Sequence, residues 1–321
     1  MICTPISKRT RNIEKKEIQI KMPGWSGKSK GGALGYRFFV FLIKNTSLRF
    51  TYFFIRIVAF HYLVFSRKGP IRFYFRKIHG YGAGKSTMSI YRNFCLLGEV
   101  LVDKVAMLSG AKKGYTFDFE GEEHLHEISR QARGGVLIGA HMGNWEVAGQ
   151  LLERIDIPVN IVMLEAERER IRRILDDVLV NRRFRVIAHQ QDYSHLFRIK
   201  EAFMNNELVV MHGDRYLEGA NTVTTRFMGK EARFPTGPLY LASKHQVPVS
   251  FVYTVKESST RYHFYATPPR IFPYPSRIST RKQDIKRMVD AYVESLEKVV
   301  RQYPLQWFNY YSFWEDETIS A

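Results

Sequence analysis

His141 and Glu146 stand five residues apart in GGVLIGAHMGNWEVAGQL (134–151), directly after an apolar run. A carboxylate on one imidazole nitrogen fixes the tautomer and raises the basicity of the ring. The other nitrogen can then take a proton from an incoming hydroxyl. Gly143 permits a tight turn between the two residues. Asn144 is a good helix N-cap, which would place Trp145 and Glu146 in a first helical turn. The pair therefore reads as a general-base dyad. Two readings compete with it: a metal site, and a strand end carrying a chance histidine. A serine hydrolase would bring its own nucleophile, but no G-x-S-x-G occurs in the chain. The dyad must then activate a nucleophile that belongs to the substrate, and group transfer to an alcohol or amine fits that. A zinc protease would show H-E-x-x-H on a helix. The second cluster, Glu122, Glu123, His124 and His126, reads as a solvated helix start, so no metal ligands are assigned.

The elements that must position His141 follow from periodicity. GGVLIGA (134–140), IPVNIVML (157–164), FRVIAH (184–189), ELVVMHGD (207–214) and VPVSFVYTVKE (247–257) are short apolar runs that read as strands. Helical spacing marks 87–108, 145–155, 165–182, 194–206, 236–246 and 281–302. In the last of these, Ile285, Val289, Tyr292, Leu296 and Val299 share a face. RYHFYATPPRI (261–271) can pair with 247–257 as a hairpin. Alternation of this kind implies an α/β fold: a mixed central sheet covered by helices. His141 follows one strand, and His212-Gly213-Asp214-Arg215 ends another. Ligands of open α/β sheets sit outside the carboxyl ends of strands, so the two clusters can share one cleft.

Charge is unevenly distributed over the 321 residues. Residues 1–80 hold 17 basic and two acidic side chains, a net +15, against +3 for the remaining 241. That asymmetry points to an anionic partner. The same quarter is rich in aromatics: FTYFFIRIVAFHYLVF (50–65) has one charge in sixteen residues. Its apolar blocks are too oily for the solvated stacking groove of a nucleic-acid binder. They are also short of the roughly 20 apolar residues that cross a bilayer. The region from Leu34 to Phe65 reads as an interfacial or partly inserted helical hairpin, its arginines reaching anionic headgroups. A single tilted span and a buried helix pair with a basic rim are the alternatives. Residues 1–21 are polar and aperiodic and read as a disordered leader, with Met22 a plausible start. The expected organisation is that leader, a membrane-associating helical region at 22–80, and an α/β domain at 81–321. Two cysteines, Cys3 and Cys95, exclude a disulfide framework.

HGYGAGKST (79–87) imitates a phosphate-binding loop. In a Walker A motif ending at Gly84-Lys85-Ser86, the first glycine would stand at position 79, which is His79. The basic run before it does not look like a buried strand.

H-M-G-N-W-E resembles the H-x-x-x-x-[D/E] signature of the lysophospholipid acyltransferase superfamily. It more closely resembles the H-x-G-N-W-E form of the lipid A biosynthesis (lauroyl/myristoyl-type) acyltransferases of Gram-negative bacteria. Three further blocks follow in order: HGDR (212–215), FMGKEARFPTGPLYLA (227–242) and PLQWFNYYSFW (304–314). Arg215 departs from the family's amide-type residue, and EAERERIRR (165–173) is more charged than the family's corresponding segment. FPTG (234–237) lacks the glutamate of the glycerolphosphate acyltransferases' F-P-E-G-T, which disfavours a glycerolipid acceptor.

The resemblance implies a membrane-associated acyltransferase at the cytoplasmic face of the bacterial inner membrane. Its donor would be a fatty acyl thioester on acyl carrier protein or coenzyme A. Its acceptor would be a lipid or glycolipid hydroxyl, such as that of a lipid A precursor. His141 is the expected base, and Glu146 orients and stabilises its imidazolium. Backbone N–H groups at Gly143 and Asn144, or the Arg215 side chain, are the candidate oxyanion donors. Asp214, after Gly213, is expected to hold Arg215 or loop N–H groups, and Pro235 and Gly237 to shape the cleft. No cofactor and no nucleic acid are implied. Three other functions compete: acyl transfer to another amphiphile such as a polyene pigment or aminolipid, a non-catalytic basic protein on membrane or nucleic acid, and a nucleotide hydrolase using Lys85.

Overall fold

The computed structural model describes residues 41–43, 45–108, 114–145, 155, 157–164, 184–189 and 193–319. The leader, the expected helix at 165–182, most of that at 145–155, and Cys3 and Glu146 lie outside them.

The α/β architecture expected from the alternation is present. The central sheet has seven strands: β1 (Thr116–Glu120), β2 (Gly135–Gly139), β3 (Val159–Leu164), β4 (Phe184–His189), β5 (Leu208–His212), β8 (Val249–Lys256) and β9 (Arg261–Ala266). Their order is β1-β9-β8-β2-β5-β3-β4. Every pair runs parallel except β8 with β9, which forms the expected antiparallel hairpin. β2 and β8 are buried along their whole length, as near-continuous apolar runs in a doubly covered sheet must be. The pleat divides their side chains. Val136 and Ile138 join one core with Phe251 and Tyr253, while Leu137 and Val252 join the other with Phe264.

Strands β6 (Thr222–Phe227) and β7 (Lys230–Pro235) form a separate hairpin that the sequence reading left unassigned. Its turn, Met228-Gly229, has positive φ at both residues, as a two-residue hairpin turn of type I′ needs. Methionine is an unusual choice there, which hid the turn. The hairpin packs on α7 (Arg281–Gln302), the helix expected at 281–302, which buries Met288, Val289, Tyr292, Leu296 and Val300.

Four helices lead into or flank the sheet on the N-terminal side: α1 (Leu48–Phe65), α2 (Gly69–Phe73), α3 (Ala83–Leu108) and α4 (Glu122–Arg130); α5 (Ser194–Met204) precedes β5. A π-helical turn, Tyr74–Ile78, follows α2. Ile71, Tyr74 and Phe75 pack in the main core with the sheet, so residues on both sides of position 80 share it. Ser47 caps α1, its side chain accepting from the Phe50 N–H. α1 lies against α3, and a Cβ on Gly98 would come within 2.6 Å of Ile55. α1 buries Thr51, Tyr52, Ile55 and Ala59 on one narrow stripe and leaves Phe50, Phe53, Ile57, Phe60, Val64 and Phe65 exposed. Its 18 residues, about 27 Å long, are apolar and long enough to cross a membrane by length and composition.

A buried charge network pins α1 to the body. Lys256 at the end of β8 donates to Asp103 of α3, to the Tyr52 hydroxyl at 2.9 Å and to Ser259 O at 2.8 Å. Asp103 also accepts from the hydroxyls of Tyr52, Tyr262 and Tyr115. Burial first, then the Asp103 charge, raises the pKa of all three tyrosines, so they remain donors. Removing one partner strands the other charge. Lys256→Met should therefore lower the unfolding free energy in urea by about 3–5 kcal/mol, and adding Asp103→Asn, which removes the stranded charge but keeps an acceptor for the tyrosine hydroxyls, should recover part of it.

Candidate active site

The site is assembled by the register of two adjacent parallel strands. Gly139 of β2 pairs with His212 of β5. His141 and Asp214 each lie two residues beyond that pair, at the carboxyl ends of their strands. The His141 Nδ1 and an Asp214 carboxylate oxygen stand 2.8 Å apart. The other Asp214 oxygen accepts from the His141 backbone N–H at 3.0 Å and from Trp307 Nε1 at 3.3 Å. Asp214 is 1% exposed, whereas the His141 side chain keeps 16% of its surface. Burial alone would push the Asp214 carboxyl up. His141, through charge and hydrogen bond, and then Arg215 and His212 outweigh it and hold the carboxyl well below the usual range. An ionised acceptor on Nδ1 places the proton there and makes Nε2 the basic nitrogen.

Tight backbone packing requires glycine at two positions. At Gly213 a Cβ would lie 2.7 Å from the Tyr292 ring, whose hydroxyl donates to Gly139 O at 2.9 Å. Gly143 has φ of +55°, and a Cβ there would fall 1.8 Å from Thr254 O.

The C-terminal block holds the histidine loop in place. Met142 bridges Trp307 in antiparallel fashion. Phe308 N–H donates to His141 O at 3.0 Å, and Gly143 N–H donates to Gln306 O at 2.9 Å. The Gln306 amide brackets Lys256, accepting from its N–H at 2.8 Å and donating to its carbonyl at 2.7 Å. The Tyr311 hydroxyl donates to Asp214 O at 3.1 Å. From α3, Asn93 donates to Leu305 O at 2.9 Å and accepts from the Tyr310 hydroxyl at 2.6 Å.

Several expected roles change. The Gly143 and Asn144 N–H groups donate to Gln306 O and Thr254 O, so they are not open to an oxyanion. The Asn144 side chain reaches Val100 O and the Tyr262 hydroxyl, each at 3.4 Å, tying the loop to α3 and the buried network. Asp214 does hold a loop N–H, that of His141, but it also takes the imidazole. Arg215 Nη2 donates instead to Phe308 O at 2.6 Å, with the guanidinium 5.9 Å from the Tyr311 ring centre. Pro235 ends β7 and Gly237 opens α6 (Gly237–His245). Between them Thr236 donates from its N–H and its hydroxyl to Asn221 O.

His212, Gln306, Trp307 and Tyr311 had no role assigned from sequence. The PLQWFNYYSFW block was visible, but its contacts run through irregular backbone that leaves no periodicity to read. The glycine-rich stretch at 80–84 follows the π-helical turn rather than the strand a Walker A loop requires, and Lys85 Nζ sits 3.9 Å from the Tyr81 ring centre. His124 and His126 lie in α4 beside Glu123 and Glu122. Among the described residues, no group of three His, Cys, Asp or Glu side chains is placed to hold a metal ion.

A family model described as bacterial lipid A biosynthesis acyltransferase matches residues 97–314, a span that holds both strand ends and the C-terminal block. The chain belongs to this family and is an acyltransferase of lipid metabolism. Among solved structures it is similar to the crystal structure of the 1-acyl-sn-glycerophosphate (LPA) acyltransferase PlsC from Thermotoga maritima. That match has 12% identity and a TM-score of 0.37, over 78% of this chain and 97% of that one. No curated protein sequence matches the chain.

The depressed pKa of Asp214 makes a signed prediction. Its pairing stabilises the fold above the ordinary carboxylate pKa of about 4, and that contribution is lost as pH falls below it. Asp214→Asn should remove this part of the acid destabilisation, read as urea midpoints from about pH 5 to pH 3. It should also lower kcat for acyl transfer by up to about 10⁴-fold, the cost of the wrong imidazole tautomer in a comparable dyad.

Proposed function

We propose that the protein transfers a fatty acyl group from an acyl thioester to a hydroxyl of a lipid or glycolipid acceptor such as a lipid A precursor. His141 Nε2 takes the hydroxyl proton, and the alkoxide attacks the thioester carbonyl. Asp214, on Nδ1, orients the ring and stabilises the imidazolium. Glu146, the carboxylate of the H-x-x-x-x-E motif, is the second candidate for that electrostatic role. The observation that carries this reading is the 2.8 Å contact of His141 Nδ1 with buried Asp214 at two adjacent strand ends, inside the span matched by the family.

The chain's surface fits a donor and acceptor of these kinds. The exposed apolar face of α1 adjoins Arg49, Arg56, Arg67 and Lys68, which suits docking on an anionic leaflet. Such docking would set the enzyme on the cytoplasmic face of the inner membrane, where its acceptor resides. The same positive charge suits an acidic carrier protein as the donor's bearer more than coenzyme A alone.

The experiment is transfer from a labelled acyl thioester into membrane lipid, with mass spectrometry of the product. His141→Ala and Glu146→Gln should each abolish transfer in a protein that still folds, His141→Ala at a lower urea midpoint because it leaves Asp214 without its ring partner. Undiminished transfer by His141→Ala would sink the mechanism.

A further inference from the structure

Attack on a thioester drives negative charge onto the carbonyl oxygen, and that charge needs a fixed hydrogen-bond donor. The backbone N–H groups of residues 141–144 are all committed elsewhere. The N–H groups of Met142, Gly143 and Asn144 donate to Ala140 O, Gln306 O and Thr254 O. The N–H of His141 donates to Asp214.

His212 is placed for the task. Its ring centre lies 4.4 Å from that of His141 and 4.4 Å from that of Trp145. Packing against these rings holds it, rather than a hydrogen bond to a described residue. Together with Leu137, Ile161, Val210 and Phe264 it lines a small apolar cavity with room for about one water. A thioester carbonyl brought to the His141 ring would meet the second imidazole as well. Burial, then the charges of His141 and Arg215, hold the His212 pKa well below the usual histidine range, with Asp214 opposing. A neutral imidazole keeps one N–H to donate and adds no charge that would compete for Asp214.

We propose that His212 is a second catalytic residue, its ring N–H donating to the oxyanion formed when the acceptor attacks the thioester. The inference rests on the acyl-transfer reading above. In the step, the acceptor O–H proton moves to His141 Nε2 and its oxygen bonds to the carbonyl carbon. The carbonyl π pair moves onto the oxygen that His212 holds. Collapse of the tetrahedral intermediate breaks the C–S bond, and the leaving thiolate takes the proton from His141.

The test uses the full chain in phospholipid vesicles, a labelled dodecanoyl thioester as donor and extracted Gram-negative membrane lipid as acceptor. His212→Leu should lower kcat about 10²–10³-fold with little change in KM, the loss expected for one oxyanion donor. His212→Gln, which keeps an N–H, should stay within about tenfold of the parent. A packing role predicts the opposite order, with leucine tolerated and glutamine not, and that order would overturn the proposal. Equal loss in both variants would overturn it too. Should His212→Leu fail to fold, His212→Phe fills the space without a donor in the required position. His141→Ala run in parallel separates the two claims. If it is inactive while His212→Leu is fully active, only the His212 role falls. If it is active, the base itself is misassigned.

Discussion

The Asp214 carboxylate, sealed at 1% exposure, is the constraint around which the site is arranged. A buried carboxylate must be satisfied by donors or lose its charge. Here the donors are the His141 backbone, the His141 ring and the Trp307 indole. Satisfying it therefore fixes the histidine loop, the imidazole tautomer and the C-terminal block together. The glycines at 143 and 213 follow from the same requirement, because the two strand ends close this tightly only where no Cβ intervenes. The C-terminal block extends the constraint outward, from Phe308 and Gln306 on the loop to Tyr310 on Asn93 of α3.

The helix with the exposed apolar face is tied to this arrangement. Tyr52 of α1 reaches Asp103 and Lys256, Lys256 is bracketed by Gln306, and Tyr262 contacts Asn144 of the loop. A helix that meets a bilayer only by apolar contact would be free to tilt. This one is fixed by charged and hydrogen-bonded groups at its buried stripe. The groups that would face lipid and the groups that would do chemistry thus share one polar network, which suits an enzyme acting on an acceptor held in a membrane.

Much of the scaffold was legible because it is periodic. The strands at 135–139, 159–164, 184–189 and 208–212, the hairpin at 249–266 and the helix at 281–302 lie within the spans read from sequence. The β6–β7 hairpin was not, since half-exposed strands and a Met-Gly turn give a weak alternation. The histidine was legible from its place after an apolar run. Its Nδ1 partner was not, because Asp214 lies 73 residues on and only the β2–β5 register brings it near. The expected oxyanion donors at Gly143 and Asn144 look open in sequence, and become committed only when β8 and the C-terminal block are in place. Sequence spacing speaks for neighbours along the chain, whereas this site is built from neighbours across a sheet.

The central claim is that Asp214 holds the His141 proton on Nδ1 and so leaves Nε2 basic. Nitrogen-15 NMR of the histidine-labelled protein reads this directly, with His141 assigned by its loss in His141→Ala. The account predicts a protonated Nδ1 and an unprotonated Nε2 at neutral pH, with the tautomer balance shifting in Asp214→Asn. An Nε2-protonated ring that is indifferent to Asp214 would contradict it.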